Sequence, residues 1–126
     1  MSAAEARILL VDDEPALVRL LETFLKQRGY EVDACPGSAE ALERFAAAPT
    51  RYQLVLADIN MPGVAGDVLG VQIAEMNDSV RILLTSGLPF STESVPAEIR
   101  DRFAFLQKPF LPRMVIEAID QLLPKT

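Results

Sequence analysis

The sequence predicts an α/β chain built on a five-stranded parallel sheet with helices on both faces, and two features carry that expectation. Five short runs, at residues 7–11, 31–35, 53–57, 80–84 and 103–106, are apolar and rich in aliphatic and β-branched side chains. Between them apolar residues return at helical spacing, so strand and helix alternate about every two dozen residues, the pattern of βαβ units. The runs are apolar almost throughout, which fits a sheet covered on both faces.

Taken in order, the run 7–11 leads into a helix in which Pro15 suits the first turn and Leu17, Val18, Leu21, Phe24 and Leu25 share one face. Gly29 suits its stop. After 31–35, a second helix starts near Ser38, a good N-cap residue, and carries Leu42, Phe45 and Ala46. After 53–57, a third places Leu69, Ile73 and Met76 on one face. The stretch 88–102 contains Pro89 and Pro96, neither of which fits a helix interior, and predicts a loop with a short helix beginning near Pro96. After 103–106, a fifth helix starts near Pro112 and carries Val115, Ile119, Leu122 and Leu123. No linker, low-complexity run or repeat interrupts the pattern, which reads as one domain over residues 1–126 with its core at about 7–123.

Composition narrows the function. Half of the residues are hydrophobic and 24% charged, ordinary values for a soluble globular domain. No stretch approaches the roughly 18 apolar residues of a membrane span, and the N-terminus lacks the basic and apolar regions of a signal peptide. A cytoplasmic location and no membrane partner are expected. The net charge is −6 and the 12 basic residues are scattered, so no direct contact with nucleic acid is expected. Cys35 stands alone, which leaves neither an intramolecular disulfide nor a cysteine cage and suits a small buried hydrophobe.

Parallel strands end on one edge of their sheet, and ligands of open α/β sheets bind there. The first run ends in Asp12-Asp13, the third in Asp58, the fourth in Thr85-Ser86 and the fifth in Gln107-Lys108. Three crowded carboxylates would repel one another, and at least one would stay protonated unless a cation were present. Lys108 supplies one positive charge. An all-oxygen donor set suits a hard divalent cation such as Mg²⁺, with a backbone carbonyl near Asn60 as a candidate third oxygen ligand. A zinc site is poorly served by a chain with no histidine and one cysteine. This set suits phosphoryl transfer onto Asp58, with Lys108 and the Thr85 hydroxyl offsetting the developing charge. Without histidine the chain has no phosphohistidine of its own, so the phosphoryl group must come from another chain or a small molecule.

The same residues resemble the receiver domain of two-component response regulators, over essentially the whole chain. The matching segments are LLVDDEP (9–15), LADINMPGVAG (56–66), ILLTSG (82–87) and FLQKPF (105–110), each at a strand end and in the family's order. The resemblance implies a flavodoxin-like, doubly wound sheet of order 2-1-3-4-5. It makes Asp58 the phosphoacceptor, Asp12 and Asp13 the acidic pair that organises Mg²⁺, and the Asn60 backbone carbonyl its third protein ligand. Thr85 becomes the switch hydroxyl, Phe105 the switch aromatic and Lys108 the family's lysine, followed by a cis bond to Pro109. The implied phosphodonor is a histidine kinase or a histidine phosphotransfer protein. The implied output face, for a downstream protein or a dimer, is built from the fourth helical region, fifth strand and fifth helix. A stand-alone regulator, the receiver of a hybrid histidine kinase and the receiver of a longer regulator all fit. Two departures stand out: Ser86 follows the switch threonine where a smaller, less polar residue is common, and the fourth helical region carries prolines.

Each residue alone has an ordinary explanation. A strand-end aspartate can cap a helix, Asp13 and Glu14 are favourable charges before a helix N-terminus, Lys108 can be a solvated lysine, and Phe105 a core aromatic. Convergence of four strand ends on one reaction favours the sharper reading. The expected activity is that of a switch rather than an enzyme, although a receiver assists its own phosphorylation and dephosphorylation. An aspartyl-phosphate phosphatase would carry a second acid where Asn60 stands. A flavin module would need a phosphate-cradling loop where Asp12-Asp13-Glu14-Pro15 stands. A phosphorylation-independent interaction module would draw no particular support from the acid, hydroxyl and lysine set.

Overall fold

Side chains alternate across a strand, so a strand apolar at every position must bury both faces. That is the arrangement in the computed structural model, which describes residues 6–123. Five strands, β1 (Arg7–Val11), β2 (Glu31–Cys35), β3 (Leu54–Asp58), β4 (Arg81–Ser86) and β5 (Phe103–Gln107), form one sheet in the order β2-β1-β3-β4-β5. Every pairing is parallel, as expected for the doubly wound fold. The ends of the expected domain, 1–5 and 124–126, lie outside the described residues.

The helices are α1 (Pro15–Gln27), α2 (Ser38–Ala47), α3 (Gly66–Met76) and α4 (Pro112–Leu122). One set of strand positions, including Leu9, Val11, Val55, Ile82 and Leu84, packs with Phe45 of α2 and Leu69 and Ile73 of α3. The alternate set, including Ile8, Leu10, Leu54, Leu56 and Leu83, packs with Leu21 and Leu25 of α1 and Val115, Ile116 and Ile119 of α4. Burying each such side chain stabilises the fold by about 1.5–3 kcal/mol before entropy is charged against it. Pro15 opens α1 where its missing N–H costs nothing. Gly29 closes it with a φ of 94°, in the left-handed region, donating its N–H to the Lys26 carbonyl. Phe24, expected on the buried face of α1, is 38% exposed, because it lies about 100° around the helix from buried Leu25. Met76 ends α3 and is likewise exposed.

The expected short helix near Pro96 is corrected. In place of a fourth α-helix, 3-10 turns at Thr92–Ser94 and Arg100–Arg102 flank a chain of i to i+3 bonds running from the Pro96 carbonyl. Prolines remove the donors an α-helix needs, and guanidinium groups take the carbonyls instead. Arg100 donates to the carbonyls of Glu93 and Val95. Arg102 donates to those of Ala74, Asn77 and Val80, tying the segment to the end of α3. Val95 is buried in the α2/α3 core and pins the middle. The C-terminal helix, expected as the fifth, is therefore α4. None of the described helices is long and apolar enough to cross a membrane.

At the opposite end of the sheet, Asp33 of β2 accepts from the Tyr52 hydroxyl at 2.7 Å and from Arg51 and Arg7 at 3.3 Å each. Burial alone would raise its carboxyl, but the bonds from Tyr52 and Arg51 and the nearby charges outweigh it and hold the group below the ordinary carboxylate range. A depressed acid stabilises the fold above its unfolded pKa, and that contribution disappears as pH falls through the folded pKa. Asp33→Asn should therefore lower stability at pH 7 by about 1 kcal/mol. In urea unfolding series the gap from wild type should close below about pH 4.

Candidate functional site

The alternation that sorts the core also builds the site. Leu10, Leu56, Leu83 and Leu106 face the α1/α4 side of the sheet. Two residues further along each chain, the same-face positions are Asp12, Asp58, Thr85 and Lys108. Asp58 and Thr85 lie within their strands, which run further than the apolar runs suggest, and they pair directly in the β3–β4 register. All but Lys108 are buried: Asp12 is 4% exposed, Asp58 5% and Thr85 2%.

Backbone bonds set each side chain. The Asp12 amide donates to the Cys35 carbonyl at 3.1 Å, and Asp12 Oδ1 accepts the Glu14 amide at 2.9 Å. Asp58 Oδ1 accepts the Asn60 amide at 3.2 Å. The Lys108 amide donates to the Ser86 carbonyl at 2.8 Å, extending the β4–β5 ladder, and the Lys108–Pro109 bond is cis. The Lys108 ammonium then reaches three carboxylates: Glu14 at 2.7 Å, Asp58 at 3.3 Å and Asp12 at 3.4 Å. Burial pulls against its charge, but Glu14, Asp12 and Asp58 outweigh burial and push the ammonium's pKa above its ordinary value. Burial raises the Asp12 carboxyl, against the opposing pull of the Glu14 amide and Lys108.

Oxygens of Asp12, Glu14 and Asp58 lie within 4.8 Å of one another. This all-carboxylate donor set, two members of it buried, fits a hard divalent cation. Asp13 is not brought to it. Side chains diverge as the chain leaves β1, so Asp12 turns to the cluster while Asp13 is exposed. In the sequence Glu14 is only a charge near a helix N-terminus; its reach back to Lys108 depends on a contact 94 residues away, and no local signal gives it.

Two contacts fix the loop after Asp58. The Asn60 side chain donates to Ser86 Oγ at 2.7 Å, and the same oxygen accepts the Leu88 amide at 3.0 Å, so the polar residue after Thr85 is a tether. Gly66 donates its amide to the Ile59 carbonyl at 3.0 Å. A side chain there would come within 2.8 Å of the Asp58 carbonyl carbon and 2.9 Å of Ile59 Cα. Phe105 lies outside the acidic cluster, half-buried in the α2/α3 layer, its ring tilted 51° against Phe90 with centroids 5.6 Å apart. Cys35 is buried, which pushes its thiol up to about 11 and suits the expected apolar role.

Residues 8–120 match the family model described as the response regulator receiver domain. The chain belongs to that family. It is 32% identical over 120 residues to the regulatory protein VanRB of Enterococcus faecalis, covering 95% of this chain and 53% of that protein. It is 33% identical over 121 residues to the transcriptional regulatory protein ResD of Bacillus subtilis, covering 94% and 48%. The chain thus spans about half the length of these relatives. Among solved structures, the receiver domain of the hybrid histidine kinase CckA superposes with a TM-score of 0.80 at 27% identity, covering 94% of this chain and all of that one. The response regulator TrrA of Thermotoga maritima, in complex with Mg²⁺ and beryllofluoride, superposes with a TM-score of 0.78 at 32% identity, covering 94% and 99%.

Because its neighbour is backbone and cannot swing aside, Gly66→Ala should cost about 1–3 kcal/mol of stability in urea unfolding. Ser86→Ala, which removes only the tether, should cost about 1 kcal/mol or less.

Proposed function

We propose that the chain is a phosphoacceptor switch in a two-component phosphorelay, taking a phosphoryl group on Asp58 from a histidine kinase or histidine phosphotransfer protein. The observation that carries the reading is the meeting of Asp12, Asp58 and Lys108 at the carboxyl edge, with Thr85 paired to Asp58. In the transfer, an Asp58 carboxylate oxygen forms a bond to phosphorus as the donor's phosphorus–nitrogen bond breaks and the imidazole leaves with the electron pair. Lys108 and the Thr85 hydroxyl offset the charge that gathers on the phosphoryl oxygens. Mg²⁺ would be held by Asp12, Asp13, Asp58 and the Asn60 carbonyl, and would supply the positive charge two buried carboxylates and a phosphoryl group require.

The response to phosphorylation is a population shift. Thr85 is drawn to the phosphoryl group, Phe105 turns into the space behind it, and the face built by segment 88–102, β5 and α4 repacks for a downstream partner or a second copy. The phosphatase alternative gains nothing from Asn60, whose amide side chain is committed to Ser86.

Labelled phosphotransfer tests the acceptor. Wild type should incorporate one phosphoryl group per chain with Mg²⁺, lose at least about tenfold of its rate in EDTA, and lose all labelling in Asp58→Asn. Labelling that persists in Asp58→Asn would remove Asp58 from the role. Under beryllofluoride and Mg²⁺, NMR signals of Thr85, Phe105 and segment 88–102 should shift; spectra unchanged after confirmed modification of Asp58 would leave an acceptor without a switch.

A further inference from the structure

We propose that Glu14 is a positioning residue: the releasable third acceptor of Lys108, holding the ammonium at the mouth of the site at rest and surrendering it when a phosphoryl group arrives. The inference deepens the phosphoacceptor reading and rests on it. An ammonium has three N–H donors and no more. In this structure three carboxylates use them, and the shortest bond, 2.7 Å, goes to Glu14 rather than to Asp58 at 3.3 Å or Asp12 at 3.4 Å. A phosphoryl group on Asp58 adds acceptor oxygens beside a donor already fully engaged, so one bond must be given up.

The three partners differ in what release costs. The side chains of Asp12 and Asp58 are 3% and 6% exposed, and a buried carboxylate without its counter-charge carries the full desolvation penalty. The Glu14 side chain is 58% exposed and returns to water. Its place follows from the chain: the Glu14 amide is fixed on Asp12 Oδ1, and Pro15 starts α1 immediately after, so the side chain is held over the mouth while its head stays wet. Glu14 thus lowers the free energy of the resting site and, by the same amount, opposes capture of a phosphoryl group.

The test is a double-mutant cycle on beryllofluoride affinity at saturating Mg²⁺, using wild type, Glu14→Gln, Lys108→Met and the double variant. A half-exposed ion pair lost on binding predicts about two- to fivefold tighter binding in Glu14→Gln than in wild type, and a smaller change or none in the Lys108→Met background. Equal tightening in both backgrounds would show that Glu14 acts only as a negative charge near an anion, and the proposal would fall. Should the Lys108→Met proteins bind too weakly to compare, the ¹⁵N signal of the Lys108 ammonium decides. It should differ between wild type and Glu14→Gln in the free proteins and coincide in the beryllofluoride complexes; a difference of the same size in both states overturns the idea. If wild type takes up beryllofluoride while Glu14→Gln binds it with unchanged affinity, only this inference is lost. If wild type takes up none, the phosphoacceptor reading falls with it.

Discussion

Asp12 and Asp58 are nearly sealed from water at neighbouring strand ends, and like charges placed so would force a proton onto one of them unless a cation intervened. Lys108 is that cation in this structure. Its amide is fixed to Ser86 by the last bond of the β4–β5 ladder, so the position of its ammonium is inherited from the sheet rather than from a loose loop. The arrangement satisfies three acids with a single charge, which leaves the cluster net negative. A surplus of that sign at a water-accessible mouth is what a divalent cation relieves, and the cluster is consistent with a metal site.

The remaining architecture keeps that cluster at the carboxyl edge of the sheet, where partners for it are available. Both faces are covered by helices, so polar groups along the strands would be buried without partners; at the carboxyl edge backbone amides and solvent supply them. Rigidity there comes from short-range commitments. Gly66 lets α3 approach the Asp58–Ile59 peptide, and the Asn60–Ser86 bond ties the loop after β3 to the end of β4. Asp58 and Thr85, being paired within strands, are held to the precision of the ladder.

Much of this was legible in the sequence because it is periodic or terminal. The runs at 7–11 and 31–35 coincide with β1 and β2, and the order of the sheet agrees with the family resemblance. What the pattern does not place is the behaviour that depends on side-chain reach. Asp13 and Glu14 are adjacent acids with the same charge, and composition has no means of saying which one turns toward a lysine far along the chain. The sequence pattern points to the Asn60 carbonyl, while its amide side chain is the group whose bond the structure fixes. Pro89 and Pro96 did warn against a regular helix in 88–102, but the turns that replace it depend on Arg100 and Arg102 finding distant carbonyls, which a local pattern does not encode.

That replacement bears on where the proposed switch would move. A packed helix shifts as a body, whereas segment 88–102 is pinned unevenly. Its later half is held by buried Val95 and by five guanidinium bonds of Arg100 and Arg102 beyond one to Glu93, while residues nearer β4 are more exposed, Leu88 at 66%. Within the earlier half Phe90 leans on Phe105, the residue that pairs with Leu84 beside Thr85. Rearrangement costs least where few buried contacts must be broken. In the proposed switch, a turn of Phe105 would pass to Phe90 and be taken up in residues 87–94, with Val95 as the fixed end. Such a lever would be short, and its output would be a change in the surface beside the site rather than rotation of a helix.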